Sequence, residues 1–362
     1  MKLQNKYKIA LVGYRLSGGG SDKVMVNLSL FLESIGVEVF VVTVIDEGNV
    51  TFGGTYFSTS KFRSNNRFFD VLNRAKALRN FFKQHQFDFI IDFRFRLKPV
   101  QELLISKFVY NVPTIYTVHS WATDHYIPQN KFLANLIYSK AKSIVCVSRA
   151  IENKLFETNN FKNLTTIYNP YIADEFPSDL DGLETSNTIL FVGQLNDETK
   201  QLNHLFEAFS KNEKVNKKAK IKICGTGNLL SDYKKLAIKL GIENEVEFLG
   251  HVQPPYHEMQ KARFLVVCSA FEGFPNVIVE ALFANLPVVS YDLQSGPNEV
   301  IVDKYNGLLV PNQQIDALSK AIELFFEDEI LYKTCKSNAR ESVKQFSMEN
   351  IGNNWLQLLN LK

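Results

Sequence analysis

Two glutamates on either side of a polar loop are the residues of this chain best suited to bind a ligand. Glu272 lies in the loop after the apolar run at residues 264–268, and Glu280 lies two helical turns further on, within residues 277–284, which have helical spacing. An ionised carboxylate only accepts hydrogen bonds, so it suits paired hydroxyls such as those of a sugar or a ribose. Taken alone, each glutamate is explained as well by an ordinary surface charge.

A strand, a tight loop and the start of a helix must position these glutamates. Residues 264–268 are long enough for a buried strand and too short for a helix, and residues 269–276 contain the Gly and Pro expected of a loop. The first backbone N–H groups of the helix that follows are free and lie at the positive end of its dipole, so they favour an anion. The pattern predicts a phosphate site with a carboxylate on each side, which would hold both ends of a sugar nucleotide.

The stretch around both glutamates resembles the Glu-x7-Glu signature of glycosyltransferase family 4. Residues 286–290, 295–301 and 306–311 are similar to later segments of that family, in the same order and spacing. The resemblance implies a retaining, metal-independent enzyme of the GT-B fold, an α/β fold in which two Rossmann-like, doubly wound parallel-sheet domains face each other across a cleft. The sequence Ser-Gly-Pro-Asn-Glu at 295–299 is similar to a subgroup that builds bacterial surface polysaccharides and lipid-linked oligosaccharides, often from UDP-hexosamines.

The resemblance also implies roles for individual residues. Glu280 would bind the donor ribose, Glu272 the hydroxyls of the donor sugar, and Lys200 the diphosphate, while His119 would face the reacting centre. We expect attack on the front face of the sugar, with the leaving phosphate taking the acceptor's proton, and catalytic roles for His119, Lys200 and Glu272. The other donor-binding residues that the family pattern implies are Gly19, Gly20, Gln194, Gly225, Val252, Phe274, Pro275, Asn276 and Val277.

One position departs from the family pattern. The family usually has an arginine and, six residues later, a lysine, which together clamp the donor diphosphate; this chain has Gln194 and Lys200 there. The loss of one cation would remove several kcal/mol of transition-state stabilisation unless another group replaces it. Lys200 alone, a helix dipole and a basic residue from elsewhere remain open as replacements.

Two segments of the first half also fit a ligand site. Residues 16–20 contain three glycines after the first predicted strand, which allow the backbone to approach a ligand closely. Their spacing does not match a dinucleotide fingerprint, so NAD binding is not expected. His119 ends the predicted strand at 113–119, and ligands bind at the carboxyl ends of strands in such sheets.

Length and composition indicate two domains. A chain of 362 residues with 45% hydrophobic and 22% charged residues fits two domains of ordinary composition. We expect an acceptor-binding domain at 1–170, a linker at 171–187, a nucleotide-sugar domain at 188–345, and a terminal helix at about 346–362 that returns to the first domain. The polar start resembles no signal peptide, no apolar run approaches a membrane span, and the four widely spaced cysteines predict a reduced, cytoplasmic protein.

The positive charge is concentrated in one part of the first domain. Residues 51–150 carry 15 Lys and Arg but only 5 Asp and Glu, a net charge of +10. This excess predicts an anionic partner, and we expect peripheral contact with the cytoplasmic membrane face through the basic region at 67–98, which combines a helix at 68–84 with a basic-aromatic loop at 94–98. The helix and the loop, with its Arg94 and Arg96, are expected to meet lipid headgroups or acceptor phosphates. Within the helix we expect apolar contacts from Phe69, Leu72, Leu78, Phe81 and Phe82 and outward-pointing Arg67, Arg74, Lys76, Arg79 and Lys83. Ordinary solvation of helix faces explains the charge equally well, and nucleic-acid binding is not expected.

The sequence therefore predicts transfer of a hexose or N-acetylhexosamine from a UDP-sugar to a glycan or lipid-linked saccharide, without a cofactor or metal. Three alternatives stay open. A UDP-sugar 2-epimerase would release UDP and epimer without an acceptor, and a non-catalytic nucleotide-sugar-binding partner subunit would bind donor without turnover. A membrane-adhering regulatory protein would bind liposomes whether or not Glu280 is replaced. The sequence leaves open the sugar, the acceptor and the oligomeric state.

Overall fold

The computed structural model describes residues 7–16, 19–48, 50–173, 176, 186–252 and 254–361. The chain divides into two compact units, Met1–Pro170 with Met348–Lys362, and Tyr171–Ser347. Most of the expected linker at 171–187 lies outside the described residues, as do residues 17 and 18 of the glycine-rich segment and the first six residues.

The first unit is built on a seven-stranded parallel sheet in the order β3-β2-β1-β4-β5-β6-β7. The five inner strands are rich in Val and Ile and are buried almost throughout, as expected for a parallel sheet covered on both faces, whereas the two edge strands, β3 and β7, are largely only part-buried. The strand order reverses between β1 and β4, which makes the carboxyl ends of these strands the switch point at which such sheets bind ligands. The strands are β1 (Lys8–Gly13), β2 (Glu38–Thr43), β3 (Thr55–Ser58), β4 (Phe89–Asp92), β5 (Thr114–Val118), β6 (Ser143–Cys146) and β7 (Leu164–Thr166).

Among its described residues this unit has six α-helices, and the last one comes from the C-terminal part of the chain. That helix packs into the core of the first unit, where a Cβ atom on Gly352 would lie 2.3 Å from the ring of Phe31 and the ring of Trp355 lies 6.5 Å from that of Phe93. The helices are α1 (Gly20–Ser34), α2 (Arg67–His85), α3 (Pro99–Leu104), α4 (Lys131–Tyr138), α5 (Arg149–Asn159) and, at the C-terminus, α14 (Met348–Leu359).

The second unit repeats the plan with a six-stranded parallel sheet in the order β10-β9-β8-β11-β12-β13. Its switch point lies between β8 and β11. The strands are β8 (Thr188–Val192), β9 (Lys220–Cys224), β10 (Val246–Gly250), β11 (Phe264–Val267), β12 (Val288–Asp292) and β13 (Gly307–Pro311). The helices are α6 (Leu202–Ser210), α7 (Glu213–Asn216), α8 (Leu230–Lys239), α9 (Tyr256–Lys261), α10 (Asn276–Phe283), α11 (Pro297–Val300), α12 (Ile315–Glu327) and α13 (Glu329–Ser342).

The basic helix predicted at 68–84 is present as α2, but its apolar face differs from the prediction. Phe82 is fully buried, whereas Phe69 and Leu72, which we expected to make apolar contacts, are 56% and 48% exposed. Arg74, expected to point outward, donates a hydrogen bond to the backbone oxygen of Val44 at 3.0 Å. The later turns of α2 therefore pack on the sheet, where the ring of Phe81 lies against those of Phe40 and Phe57.

Candidate active site

Glu272 is held by three separate segments of the second unit. It lies in the loop between β11 and α10, and its side chain is 12% exposed. Its Oε1 atom accepts hydrogen bonds from Lys200 Nζ and from Ser269 Oγ, both at 2.6 Å. Its backbone oxygen accepts a hydrogen bond from the hydroxyl of Ser295. One carboxylate oxygen is thus fixed in place by a cation and a hydroxyl.

Lys200 is positioned by the loop that follows β8, the strand next to β11. A short 3-10 turn at Glu198–Lys200 is capped by Asp197, whose carboxylate accepts from the backbone N–H of Thr199 at 2.9 Å. Gly193 makes room for the lysine stem, since a Cβ atom there would lie 3.3 Å from Lys200 Cγ. The backbone N–H of Ala270 donates to the oxygen of Thr199 at 2.8 Å, which joins the two loops directly at the switch point.

Two glycines let the neighbouring loop pack against this one. A Cβ atom on Gly225 would lie 2.0 Å from the backbone oxygen of Gly193, and one on Gly227 would lie 2.1 Å from the carbonyl carbon of Leu195. Only glycine allows such close approach of backbone to backbone. Gln194, between Gly193 and Leu195, is exposed at this edge, and Val252 lies half-exposed after β10.

The start of α10 lies beside Glu272. No side-chain hydrogen bond caps this helix, whose cap residue is Pro275. Gly296, at a φ of +100°, packs on Pro275, where a Cβ atom would lie 2.6 Å from Pro275 Cδ. Phe274 is buried against Phe346, with ring centroids 5.4 Å apart. Asn276 and Val277 form the first turn of α10, and Glu280 follows on the same helix, partly buried.

His119 follows β5 in the first unit, and its hydrogen bonds define its tautomer. The hydroxyl of Thr117 donates to the backbone oxygen of Asp92 at 3.1 Å, so it must accept from the imidazole, whose Nε2 atom lies 2.9 Å away. The Nε2 atom therefore carries the proton, and Nδ1, which is buried and has no hydrogen-bond partner among the described residues, presents a lone pair. Burial, helped by the charge of Arg96, lowers the pKa of His119 to about 3, so the ring is neutral near pH 7.

Asp92, at the end of β4, is the centre of a buried charge network. Arg94 binds Asp92 Oδ2 at 2.7 Å and Glu102 Oε2 at 2.9 Å. Arg96 is 1% exposed and donates to the backbone oxygens of Thr117 at 2.8 Å and Tyr126 at 3.1 Å. Burial alone would raise the pKa of Asp92, but the charges of Arg94 and Arg96 hold it below its usual value.

This network corrects one expectation about the basic region at 67–98. We expected the arginines of its basic-aromatic loop to meet lipid headgroups or acceptor phosphates. Because Arg94 and Arg96 are buried and bonded to internal carboxylates and carbonyls, neither guanidinium is available to a membrane. No pattern in the sequence pointed to Asp92, Thr117 or Ser269 as site residues. Ser295 did carry a signal, because it begins the Ser-Gly-Pro motif.

The two glycines expected to underlie the donor lie at the first unit's switch point. Gly19 occupies the cap position of α1, with its oxygen accepting from the N–H of Lys23 at 2.9 Å, and Gly20 is the first helical residue. Within the described part of the chain, no group of three or more His, Cys, Asp or Glu side chains is arranged to hold a metal ion. No helix in that same part is long and apolar enough to cross a membrane.

Two doubly wound parallel sheets, each with polar residues gathered at its switch point, place the chain among α/β proteins built from two Rossmann-like domains. Two family models match it, Glycosyltransferase Family 4 at residues 18–175 and Glycosyl transferases group 1 at residues 174–342. An uncharacterized glycosyltransferase of Methanocaldococcus jannaschii is 30% identical over 77% of each chain. The chain belongs to the GT-B glycosyltransferases of family 4, as its glutamate signature indicated.

Two further comparisons extend over almost the whole chain. A Campylobacter jejuni protein, named GalNAc-alpha-(1->4)-GalNAc-alpha-(1->3)-diNAcBac-PP-undecaprenol alpha-1,4-N-acetyl-D-galactosaminyltransferase, is 26% identical over 97% of this chain and 98% of its own length. The crystal structure of Anabaena HepE in complex with UDP and glucose is similar with a TM-score of 0.81 and 18% identity, over 98% of this chain and 99% of that one. At 18% identity, the similarity to HepE shows that the two proteins share a fold.

Proposed function

We propose that this glycosyltransferase moves a hexose or N-acetylhexosamine from a UDP-sugar to a glycan or lipid-linked saccharide, with retention of anomeric configuration and without a metal ion. The observation that carries the proposal is the Lys200–Glu272 pair at the switch point of the second sheet, beside the start of α10. It combines a cation for a diphosphate with a carboxylate for sugar hydroxyls at the edge where such sheets bind ligands.

The diphosphate binds between Lys200 and the start of α10. An ammonium group has three N–H donors, and Glu272 uses one of them, so Lys200 keeps donors for phosphate oxygens. The N-terminus of α10, at Phe274, Pro275, Asn276 and Val277, adds the positive end of its helix dipole; Pro275 has no N–H, and the N–H of Asn276 already donates to the backbone oxygen of Phe274 at 3.0 Å. These groups neutralise the leaving phosphate in place of a metal ion and of the arginine that Gln194 replaces.

The two glutamates bind the two ends of the donor. Glu280 accepts hydrogen bonds from the ribose hydroxyls, and Glu272 accepts from the hydroxyls of the sugar through the carboxylate oxygen that Lys200 and Ser269 leave open. UDP and glucose in the structurally similar HepE support this class of donor. A carboxylate already bonded to Lys200 and Ser269 is a weaker nucleophile, which favours front-face attack over a covalent intermediate on Glu272.

His119 acts as a hydrogen-bond acceptor. Its Nδ1 lone pair accepts from a sugar hydroxyl, and its Nε2–H stays bonded to Thr117. Because its pKa lies near 3, the ring does not supply a proton at pH 7. The proton of the acceptor hydroxyl therefore passes to the leaving phosphate.

The acceptor is a saccharide carried on a lipid diphosphate at the cytoplasmic face of a membrane. The Campylobacter relative, whose named acceptor is a saccharide on PP-undecaprenol, supports this class. The four cysteines, all described, are free and buried, which suits a reducing compartment.

Thermal shift and donor hydrolysis with UDP-, GDP- and ADP-sugars, in the presence of EDTA, test this function. We expect a shift and slow hydrolysis with one UDP-sugar, both lost in Glu280→Gln and both kept in the matched surface variant Glu243→Gln. Dependence on added divalent metal would contradict the metal-free mechanism. Absence of nucleotide-sugar binding in the wild type would refute the donor site altogether.

Gln194 supports a second candidate function. A subunit that binds nucleotide sugar without turning it over would need no second cation at the diphosphate, and Gln194 supplies none. Donor binding without hydrolysis, and without transfer in an acceptor screen, would favour this alternative. Release of UDP and an epimerised sugar without acceptor would favour a 2-epimerase.

A further inference from the structure

One surface of the first unit exposes large apolar side chains at helical spacing. Val100, Leu104 and Phe108 follow each other at intervals of four residues along α3 and the π-helical turn Ile105–Val109, and they are 67%, 52% and 62% exposed. Phe132 and Leu136 repeat this interval on α4, at 71% and 36% exposed. We call these residues, with the 65% exposed Leu97 before α3, the α3–α4 surface.

The two helices of this surface are neighbours. α3 and α4 pack against each other, and their other faces are buried through Ile105 and Val109 on one side and Ala134 and Ile137 on the other. Residues four apart share one face of a helix. The exposed side chains thus form two stripes on adjacent helices. The opposite face of each helix is buried in the core of the unit.

The exposed charges on the two segments that carry the stripes have one sign. Lys98, Lys107, Lys131 and Lys140 are exposed, whereas the single carboxylate in residues 93–110 and 127–142 is Glu102, which is buried and bonded to Arg94. The nearest exposed carboxylate in sequence is Asp124, in the turn between the two segments. Two apolar stripes whose own segments carry exposed lysines and no exposed acid fit an anionic partner.

We propose that the α3–α4 surface docks on an anionic lipid bilayer, with its apolar side chains in the interface and its lysines on the headgroups. Lysine is depleted at protein–protein interfaces, whereas helices that lie on membranes combine Phe and Leu with Lys. Each lysine near an anionic surface strengthens binding about fivefold, and the apolar side chains add to this.

This inference rests on the proposed lipid-linked acceptor and deepens it. α3 follows the end of β4, and α4 follows β5 and His119, so the docking surface flanks the edge of the sheet that carries His119. A membrane held there would present a lipid-linked saccharide to that edge. The surface shares only Leu97 and Lys98 with the basic region at 67–98, whose Arg94 and Arg96 are buried.

Sedimentation of the full-length protein with vesicles tests the docking surface without any enzymatic readout. We expect binding to vesicles that contain phosphatidylglycerol and much weaker binding to pure phosphatidylcholine. The double variant Phe108→Ser/Phe132→Ser should lower partitioning by at least about tenfold, because each phenylalanine loses its buried apolar area. Lys107→Glu/Lys131→Glu should lower it similarly, and more at low salt.

Two control variants test whether vesicle binding depends on the α3–α4 surface itself. Ile330→Ser on α13, where the side chain is 82% exposed, and Phe69→Ser on α2 remove exposed apolar groups elsewhere and should leave partitioning unchanged. Equal binding by the Phe108/Phe132 variant, loss of binding in Phe69→Ser instead, or no binding by the wild type would overturn the proposal. So would a wild-type dimer in solution that this double variant dissociates, because a second copy would then cover the surface.

Donor hydrolysis separates this proposal from the proposed function. Phe108→Ser/Phe132→Ser should hydrolyse the UDP-sugar at the wild-type rate in the absence of vesicles, which also shows that it is folded. A wild type that binds vesicles but no nucleotide sugar would refute the function and leave the docking surface standing. A wild type that hydrolyses the UDP-sugar but does not bind vesicles would refute the docking surface and leave the proposed function standing.

Discussion

The ammonium group of Lys200 lies 2.6 Å from the carboxylate of Glu272, which is 72 residues away in the chain. The lysine comes from the loop after β8 and the glutamate from the loop after β11, so the pair spans the switch point of the second sheet. The pair keeps the cation oriented before any ligand arrives, with its side chain 26% exposed to an approaching phosphate. Such preorganisation is what a site for a charged leaving group needs.

Replacing Lys200 should impair transfer more than folding. We expect Lys200→Ala to lower kcat/KM about 10²–10³-fold, as for removal of one preorganised group that stabilises developing negative charge. Lys211→Ala is the control, since Lys211 forms an exposed ion pair with Asp316 at 3.1 Å. Steady-state kinetics check this, and a Lys200→Ala enzyme with wild-type kcat/KM would exclude the diphosphate role.

Gly225 should tolerate no side chain. A Cβ atom would lie 2.0 Å from the oxygen of Gly193, so Gly225→Ala must separate two loops of the donor site, and we expect it to lower the free energy of unfolding by about 1–3 kcal/mol. UDP affinity should fall with it. Gly241→Ala is the comparison, because a Cβ atom there meets no atom within 4 Å and only its φ of +67° is strained. Urea denaturation measures the stability of both variants, and UDP titration separates their causes: Gly241→Ala should keep wild-type UDP affinity, and wild-type affinity in Gly225→Ala would show that this loop contact does not matter to the donor site.

His119 should make stability depend on pH in a defined window. Its folded pKa of about 3 lies below the unfolded value of about 6.5, so the unfolded chain binds the extra proton between these values. The contribution of neutral His119 is complete above pH 6.5 and is lost as the pH falls, by about 1 kcal/mol per pH unit. We expect the unfolding free energies of wild type and His119→Asn to converge between pH 7 and pH 5. A constant difference across that range would contradict a neutral, buried imidazole.

The buried charge network predicts a large effect at Arg96. Arg96→Met should lower the free energy of unfolding by about 3–5 kcal/mol, because it leaves Asp92 with one counter-charge fewer and several buried carbonyls without a donor. Arg79→Met, at an exposed position of α2, should change it little. Chemical denaturation compares the two, and a small loss at Arg96 would mean that water replaces the guanidinium.

The parts of the fold that sequence predicts well are local in the chain. The strand, loop and helix around Glu272 and Glu280 occupy twenty consecutive residues. An apolar run predicts β11, the Gly and Pro residues after it predict the loop, and the helical spacing that follows predicts α10. The Rossmann-like architecture follows from repeats of that pattern. The family resemblance implied one donor site for Lys200 and Glu272, but their direct ion pair was not predicted, because no local pattern joins two residues so far apart in the chain.

The errors concern residues whose environment is set by distant partners. Arg94 and Arg96 look exposed in a Lys/Arg-rich loop, but their partners include the backbone oxygen of Tyr126, 30 residues away from Arg96. Phe69 is of a residue type that usually lies in the core, yet it is 56% exposed, whereas Phe82, later on the same helix, is fully buried. Burial of this kind depends on how helices pack on a sheet, and helical periodicity within one segment does not reveal it.

Titration of UDP into the purified protein by calorimetry tests the central claim most directly, with Glu280→Gln and Glu243→Gln as the matched pair. Charge-assisted hydrogen bonds from a ribose to Glu280 should make the Glu280→Gln variant bind UDP about 10–100-fold more weakly, with Glu243→Gln unchanged. Wild-type affinity in Glu280→Gln, or no UDP binding by the wild type, would contradict the assignment of this edge of the second sheet as the donor site.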